Sequence, residues 1–99
     1  MKILVIYHSA DQDGTFSRDV VLHHLSKDER YHLTTFGWNY GEAAPNVDGF
    51  DYIYMVDIAI PELLENAKLV GKIVWIDHHI SAIEKYNHLN HLGLRINGV

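Results

Sequence analysis

Residues 1–14 of the chain read MKILVIYHSADQDG, and this stretch decides the fold prediction. An unbroken apolar run, Ile3–Tyr7, passes directly into a polar segment that contains His8, Asp11 and Asp13. Strands that are buried on both faces of a parallel sheet have such continuous apolar runs. We therefore predict that the chain opens with a buried parallel strand whose carboxyl end leads into a polar loop.

Three further segments are rich in β-branched, aromatic or apolar residues, and we predict that they form strands. They are Tyr31–Phe36, Tyr52–Val56 and Lys72–Ile76. The predicted helices begin at Thr15 or Ser17 and end near Leu25, run from Pro61 to Lys68, and run from Ser81 to Tyr86. Strands that alternate with helices predict an α/β fold with a parallel sheet flanked by helices.

The first helix has a predicted start and a predicted inner face. Gly14 is expected to break the chain before the helix begins, because glycine is a strong punctuator of local structure. The apolar side chains expected to face the sheet are Phe16, Val20, Val21 and Leu25.

The composition limits both the architecture and the function. We assign residues 1–99 to a single domain, because 99 residues fit one hydrophobic core. With 47% hydrophobic residues the chain is too apolar to be disordered, and no apolar run is long enough to span a membrane. The net charge of −5 argues against binding a long nucleic acid. The absence of cysteine excludes disulfides and thiolate metal sites and fits a cytoplasmic protein.

Three of the four predicted strands end in acidic or histidine residues. His8 follows the first strand, Asp57 the third and Asp77 the fourth. All strands of a parallel sheet direct their carboxyl ends to one edge, where open α/β sheets bind ligands. We therefore expect the segment His8–Asp13, Asp57 and the triplet Asp77–His79 to converge at that edge.

These segments together hold four aspartates and three histidines, which need a counter-charge. Lys2 and Lys72 start strands, so we expect them at the opposite edge of the sheet. Bound divalent cations are the simplest compensation, and a mixture of imidazole and carboxylate ligands favours manganese, zinc, iron or cobalt. Two such ions, about 3.5–4 Å apart, would clamp a phosphoryl group and activate water.

Each feature also has an ordinary structural explanation. An aspartate after a strand, such as Asp57, is commonly a turn or cap residue, and residues 11–14 match a turn sequence. His78 and His79 could be a surface pair. Coincidence at three strand ends is nevertheless the weaker explanation. The remaining histidines receive no role and are expected to be surface or half-buried residues: His23, His24, His32, His88 and His91.

The three polar segments together resemble the motifs of the DHH phosphoesterase family. Residues 7–14 (YHSADQDG) are similar to the first motif, Val56-Asp57 to the second, and residues 74–79 (VWIDHH) to the third, which names the family. Order and spacing agree across roughly residues 1–80. The resemblance implies a Rossmann-like three-layer domain, with residues 1–99 as the amino-terminal part of a DHH domain, and a centre of two metal ions, usually Mn²⁺.

The resemblance also implies roles for single residues. Asp57 would be a ligand shared by both ions and would act in catalysis together with Asp77 and His79. Asp77 would orient a histidine ligand, and His79 would contact the substrate phosphate. The other implied metal ligands are His8 and Asp11 for one ion, and Asp13 and His78 for the other.

The function implied is a two-metal hydrolysis of phosphodiester or phosphate bonds in a small nucleotide or short oligonucleotide, similar to an oligoribonuclease. Family members usually add a fourth-motif aspartate and a carboxyl-terminal substrate-binding domain, whereas no aspartate follows His79 here. The second metal position therefore lacks one ligand. Two alternatives stay open: a non-catalytic protein that binds a nucleotide or metal or regulates a partner, and an inactive amino-terminal fragment. A partner chain in an oligomer could lend the missing ligand, and a full-length relative could be the regulated partner.

Overall fold

The computed structural model describes residues 1–10, 12–77, 80–89 and 91–93, and contains a four-stranded sheet in which every pairing is parallel. The strands are β1 (Lys2–His8), β2 (His32–Trp38), β3 (Tyr52–Val56) and β4 (Ile73–Ile76). The helices are α1 (Gln12–Leu25), α2 (Pro61–Leu64) and α3 (Ile80–Tyr86), with 3-10 turns at Ala67–Leu69 and Asn87–Leu89. The predicted α/β class and parallel sheet are confirmed.

The strand order is β2-β1-β3-β4, so the first strand lies inside the sheet. The chain adds β2 on one side of β1 and then returns to add β3 and β4 on the other side. In open α/β sheets, the carboxyl ends of the strands at such a reversal form the crevice where ligands bind. The reversal here lies between β1 and β3.

Apolar side chains cover both faces of the sheet, as the unbroken apolar run in β1 predicts. Ile3 and Val5 point to one face and pack in a cluster with Leu25 of α1. Leu4 and Ile6 point to the other face, where their cluster includes residues of α2 and α3. The sheet is therefore the middle of three layers, and it holds the strand ends in fixed relative positions.

Helix α1 differs from its prediction at its start and in its orientation. It begins at Gln12, so Gly14 lies inside the helix instead of breaking the chain, and Thr15 and Ser17 lie within it instead of capping it. Phe16 is 70% exposed and Val20 is 53% exposed, so their predicted burial is wrong.

The reason is the rotation of α1 about its axis. Each helical residue advances by about 100°, so Gly14, Val21 and Leu25 share one face. Gly14 and Leu25 are buried and Val21 is half-buried, which places that face against the sheet. Phe16 lies about half a turn away from it. Phe16 and Val20 instead border an open apolar groove beside the ends of β3 and β4.

The segment after α3 runs along the outer edge of β4. The amide of Trp75 donates to the carbonyl of Leu92 at 2.7 Å, and Val74 pairs with Leu92 in a parallel bridge. His91 is only 4% exposed, and its Nε2 lies 2.6 Å from the carbonyl oxygen of Leu64. The expectation of a surface or half-buried position is therefore wrong for His91, whereas His23, His24, His32 and His88 are exposed.

Helix α2 ends at Leu64, four residues before the predicted end at Lys68, and a 3-10 turn follows. Helix α3 begins at Ile80, so Ser81 lies inside it. In the part of the chain that the structure describes, no helix is long and apolar enough to cross a membrane.

Candidate functional site

Three candidate residues lie side by side at the carboxyl edge of the sheet. Tyr7 of β1 pairs with Val56 of β3, so the next residues in register are His8 and Asp57. Val56 in turn pairs with Ile76 of β4, so Asp57 and Asp77 are also neighbours in register. Neighbouring strands are about 4.8 Å apart, so this edge places one histidine and two aspartates on adjacent strand ends.

Asp57 has an unusual backbone conformation at the end of β3. Its φ is +60°, and it is the one non-glycine residue with positive φ in the described ranges. The left-handed region costs a residue with a Cβ about 1–2 kcal/mol, although aspartate tolerates it better than most. Its amide still donates to the carbonyl of Ile76 at 2.8 Å, and the residue is 2% exposed. Strained and buried polar residues of this kind concentrate at functional sites.

Asp77 is 3% exposed and is held by the side chain two residues before it. The indole Nε1 of Trp75 donates to Oδ2 of Asp77 at 3.2 Å and to the carbonyl of Ile58 at 2.9 Å. Residues two apart on a strand point to the same face, which is why Trp75 can reach this carboxylate. Trp75 is fully buried, so the orientation of Asp77 depends on the packing of the core.

The loop after β1 is held in place by the close packing of Gly14 against His8 and by hydrogen bonds to Asn39. A Cβ at Gly14 would overlap the carbonyl oxygen of His8, so only glycine allows α1 to pass this close to the strand end. The side-chain oxygen of Asn39 accepts hydrogen bonds from the amide of Ala10 at 2.9 Å and the hydroxyl of Ser9 at 3.1 Å. These contacts position the backbone that carries His8.

Tyr40, in the loop after β2, joins the same group. Its ring packs edge-on against the His8 ring with centroids 5.5 Å apart, and against Trp38 at 5.1 Å. Its hydroxyl oxygen accepts a hydrogen bond from the amide of Ala59 at 3.3 Å. Burial raises the pKa of the Tyr40 hydroxyl, and the nearby charges of Asp77 and Asp57 raise this pKa further. Tyr40 therefore contacts His8, and its hydroxyl lies within electrostatic range of Asp57 and Asp77.

The remaining predicted site residues are outside what the structure describes. Asp13 lies in the first turn of α1, but its side chain is not among the described ones. Within the described residues, no group of three or more histidine, aspartate or glutamate side chains is close enough to hold a metal ion. The described residues His8, Asp57 and Asp77 have the donor chemistry of a mixed imidazole and carboxylate site. The predicted site residues outside the described ranges are Asp11, His78 and His79.

The sequence prediction missed Asn39 and Tyr40. Both follow β2, so they belong to the same sheet edge as the other three strand ends. The predicted second strand ended at Phe36, two residues before the observed end at Trp38. That difference separated Asn39 and Tyr40 from the strand end, and neither an amide nor a phenol is a typical metal ligand. Ligands bind at the carboxyl ends of parallel strands, and applying this rule to β2 as well would have identified both residues.

Comparison with known proteins identifies no relative. No protein-family model matches the chain, and no curated protein or solved structure matches it.

Proposed function

We propose that the chain is a metal-dependent phosphoesterase of the DHH type, with the Rossmann-like fold of that family. It would hydrolyse a phosphodiester or phosphate bond in a small nucleotide or a short oligonucleotide. The observation that carries this proposal is the alignment of His8, Asp57 and Asp77 across three adjacent strands at the reversal edge. The order of the three motifs in the sequence agrees with that alignment.

The electrostatics of this edge support a cation. Asp57 and Asp77 are both buried and lie next to each other in register, and a bound cation lowers the repulsion between neighbouring carboxylates. Lys2 and Lys72 lie at the opposite edge, at the amino ends of β1 and β4. A divalent cation held by residues of this edge would bring a charge of opposite sign to the two aspartates.

Each residue of the site has its own role in the proposed reaction. His8 at the end of β1 and Asp57 directly after β3 would hold metal, and Asp11, Asp13 and His78 are the other proposed ligands. Bound manganese supplies the Lewis acidity that activates water and stabilises charge on the phosphoryl group. Asp77, held by Trp75, orients a histidine ligand. His79 contacts the substrate phosphate.

The experiment that tests the proposal combines metal titration with a substrate panel. Manganese binding is measured by calorimetry, and hydrolysis is measured on a short oligoribonucleotide, a cyclic dinucleotide and pyrophosphate. The wild type is expected to cleave at least one of them only with manganese. Asp57→Asn is expected to lower kcat by about 100-fold or more, because it removes a charged group at the reacting centre.

The matched control is Asp48→Asn, which removes an exposed carboxylate from the loop between β2 and β3. It is expected to keep wild-type activity and metal binding. Full activity in Asp57→Asn would contradict the proposed site, and a wild type that cleaves none of the panel would contradict catalysis. Nucleotide binding without turnover would then support the binding alternative.

A further inference from the structure

A cavity of about 350 Å³ opens beside the candidate site. It adjoins the site at two places, because Tyr40 packs on His8 and Ala59 lies two residues after Asp57. The volume is within the range of about 300–1,000 Å³ that is usual for small-molecule pockets. The residues that line it are Tyr40, Ala59, Pro61, Ala82, Lys85 and Tyr86.

Two aromatic rings of the cavity are fixed by their neighbours. Tyr86 is 5% exposed and packs edge-on against Trp75 with ring centroids 6.2 Å apart. Tyr40 packs edge-on against Trp38 and is tied to the backbone of Ala59 by its hydroxyl. Fixed aromatic walls favour a flat aromatic ligand, because stacking on them requires little further ordering.

Lys85 is the one cationic residue in the lining. Its Nζ lies 5.3 Å from the ring centroid of Tyr86, a cation–π distance that holds the amine over the cavity wall. Among the described residues, no carboxylate lies within salt-bridge distance of this amine. Its charge is therefore available to an anionic ligand.

A larger open cavity, of about 640 Å³, lies at the carboxyl-terminal end of α1. Two of its charged groups, Arg30 and Asp28, pair with each other at 2.7 Å. It lies at the amino-terminal end of β2, away from the strand-end residues, and we assign it no ligand.

We propose that the cavity between Tyr40 and Lys85 binds the nucleoside monophosphate unit of the substrate. Tyr40 forms a wall for the base, and Lys85 neutralises the phosphate that is not cleaved. The orientation of the reacting phosphate toward His8 and Asp57 rests on the proposed function, whereas binding in the cavity does not depend on turnover. Tyr40 and Lys85 are thus residues that determine specificity.

The test measures the dissociation constants of AMP and of inorganic phosphate by calorimetry with manganese present. The wild type is expected to bind AMP more tightly than phosphate. Tyr40→Ala and Lys85→Met are each expected to weaken AMP binding at least about fivefold, because the first removes the ring on which the base stacks and the second removes a charge-assisted hydrogen bond to the phosphate. Tyr40→Ala should leave the dissociation constant of phosphate unchanged, because the proposed contact of this ring is with the base.

Lys72→Met is the matched control, because it removes a lysine at the opposite sheet edge, and it should leave both constants unchanged. Lys85 is exposed, so its variant is expected to fold even if the tyrosine variant does not. Unchanged AMP binding in Lys85→Met, or a wild type that binds AMP no more tightly than phosphate, would overturn the inference. The wild type could also cleave no substrate and yet bind AMP more tightly than phosphate, with weaker AMP binding in both variants. That result would refute the catalytic proposal alone and leave the cavity assignment intact.

Discussion

The indole Nε1 of Trp75 in β4 donates a hydrogen bond of 3.2 Å to the carboxylate of Asp77, the buried residue that directly follows this strand. Through this bond, the packing of Trp75 in the core fixes the orientation of Asp77 at the candidate site. We predict that Trp75→Phe weakens manganese binding by about 10-fold or more, because loss of a group that orients a ligand typically costs 10–100-fold. Calorimetric titration with manganese measures the change.

The control for this prediction is Ile73→Val, a buried substitution in the same strand that removes about 1 kcal/mol of stability without touching Asp77. It should leave manganese affinity unchanged. Equal losses of affinity in both variants would show that general loosening of the core, and not the Trp75 bond, determines metal binding.

The positive φ of Asp57 leads to a prediction about stability. In metal-free buffer, Asp57→Val should have a free energy of unfolding about 1–2 kcal/mol lower than Asp57→Asn, because a β-branched residue tolerates the left-handed region poorly whereas asparagine adopts it more readily. Urea unfolding with a chelator present measures the difference between the two variants. Equal stability of the two variants would contradict the positive φ at this position.

Gly14 reverses the usual rule for glycine in helices. Glycine to alanine inside a helix normally stabilises by about 1 kcal/mol, but here the new Cβ would overlap the carbonyl oxygen of His8. We predict that Gly14→Ala lowers the free energy of unfolding by about 1–3 kcal/mol, the usual cost of overpacking. Thermal or urea unfolding tests this, with the exposed His23→Ala in the same helix as the control.

The observed rotation of α1 predicts unequal effects of two apolar substitutions. Phe16→Ser should change the free energy of unfolding by no more than about 0.5 kcal/mol, because the side chain is 70% exposed. Leu25→Ala should cost about 2–4 kcal/mol, since it leaves a cavity in the cluster under α1. A loss of similar size in both variants would contradict the orientation of the helix.

Arg30 holds the pKa of Asp28 at about 2, against a usual 3.8, through hydrogen bonds from its guanidinium and its amide. Because the pKa of Asp28 is lower in the folded state than in the unfolded state, its interaction with Arg30 stabilises the fold at pH values above the unfolded-state pKa. This contribution disappears as the pH falls through about 2. In Arg30→Met the pKa of Asp28 should move up toward its usual value. Carboxyl NMR titration measures it, and Arg18→Met is the control for loss of a distant guanidinium.

The sheet was predictable from the sequence because its signals are local. Continuous apolar runs such as Ile3–Tyr7 identify strands that are buried on both faces, and the parallel class then brings their carboxyl ends together. The register of His8, Asp57 and Asp77 follows from strand ends that the sequence marks with a change from apolar to polar residues.

Other features depend on tertiary contacts that no local pattern encodes. The rotation of α1 is set by the close approach of Gly14 to His8, which outweighs the apolar preference of Phe16. The positive φ of Asp57 and the packing of Tyr40 on His8 likewise arise only after distant segments meet.

The pairing of Leu92 with the backbone of Trp75 also covers part of a sheet edge. An uncovered edge strand presents free amides and carbonyls to which another chain can add, and β4 is apolar at Ile73 and Trp75. The hydrogen bond to Leu92 occupies one position of this edge, and the preceding residue, the buried His91, contacts the carbonyl of Leu64. Loss of these contacts is therefore expected to open β4 to pairing with a second chain, although neither His91 nor Leu92 belongs to the candidate site.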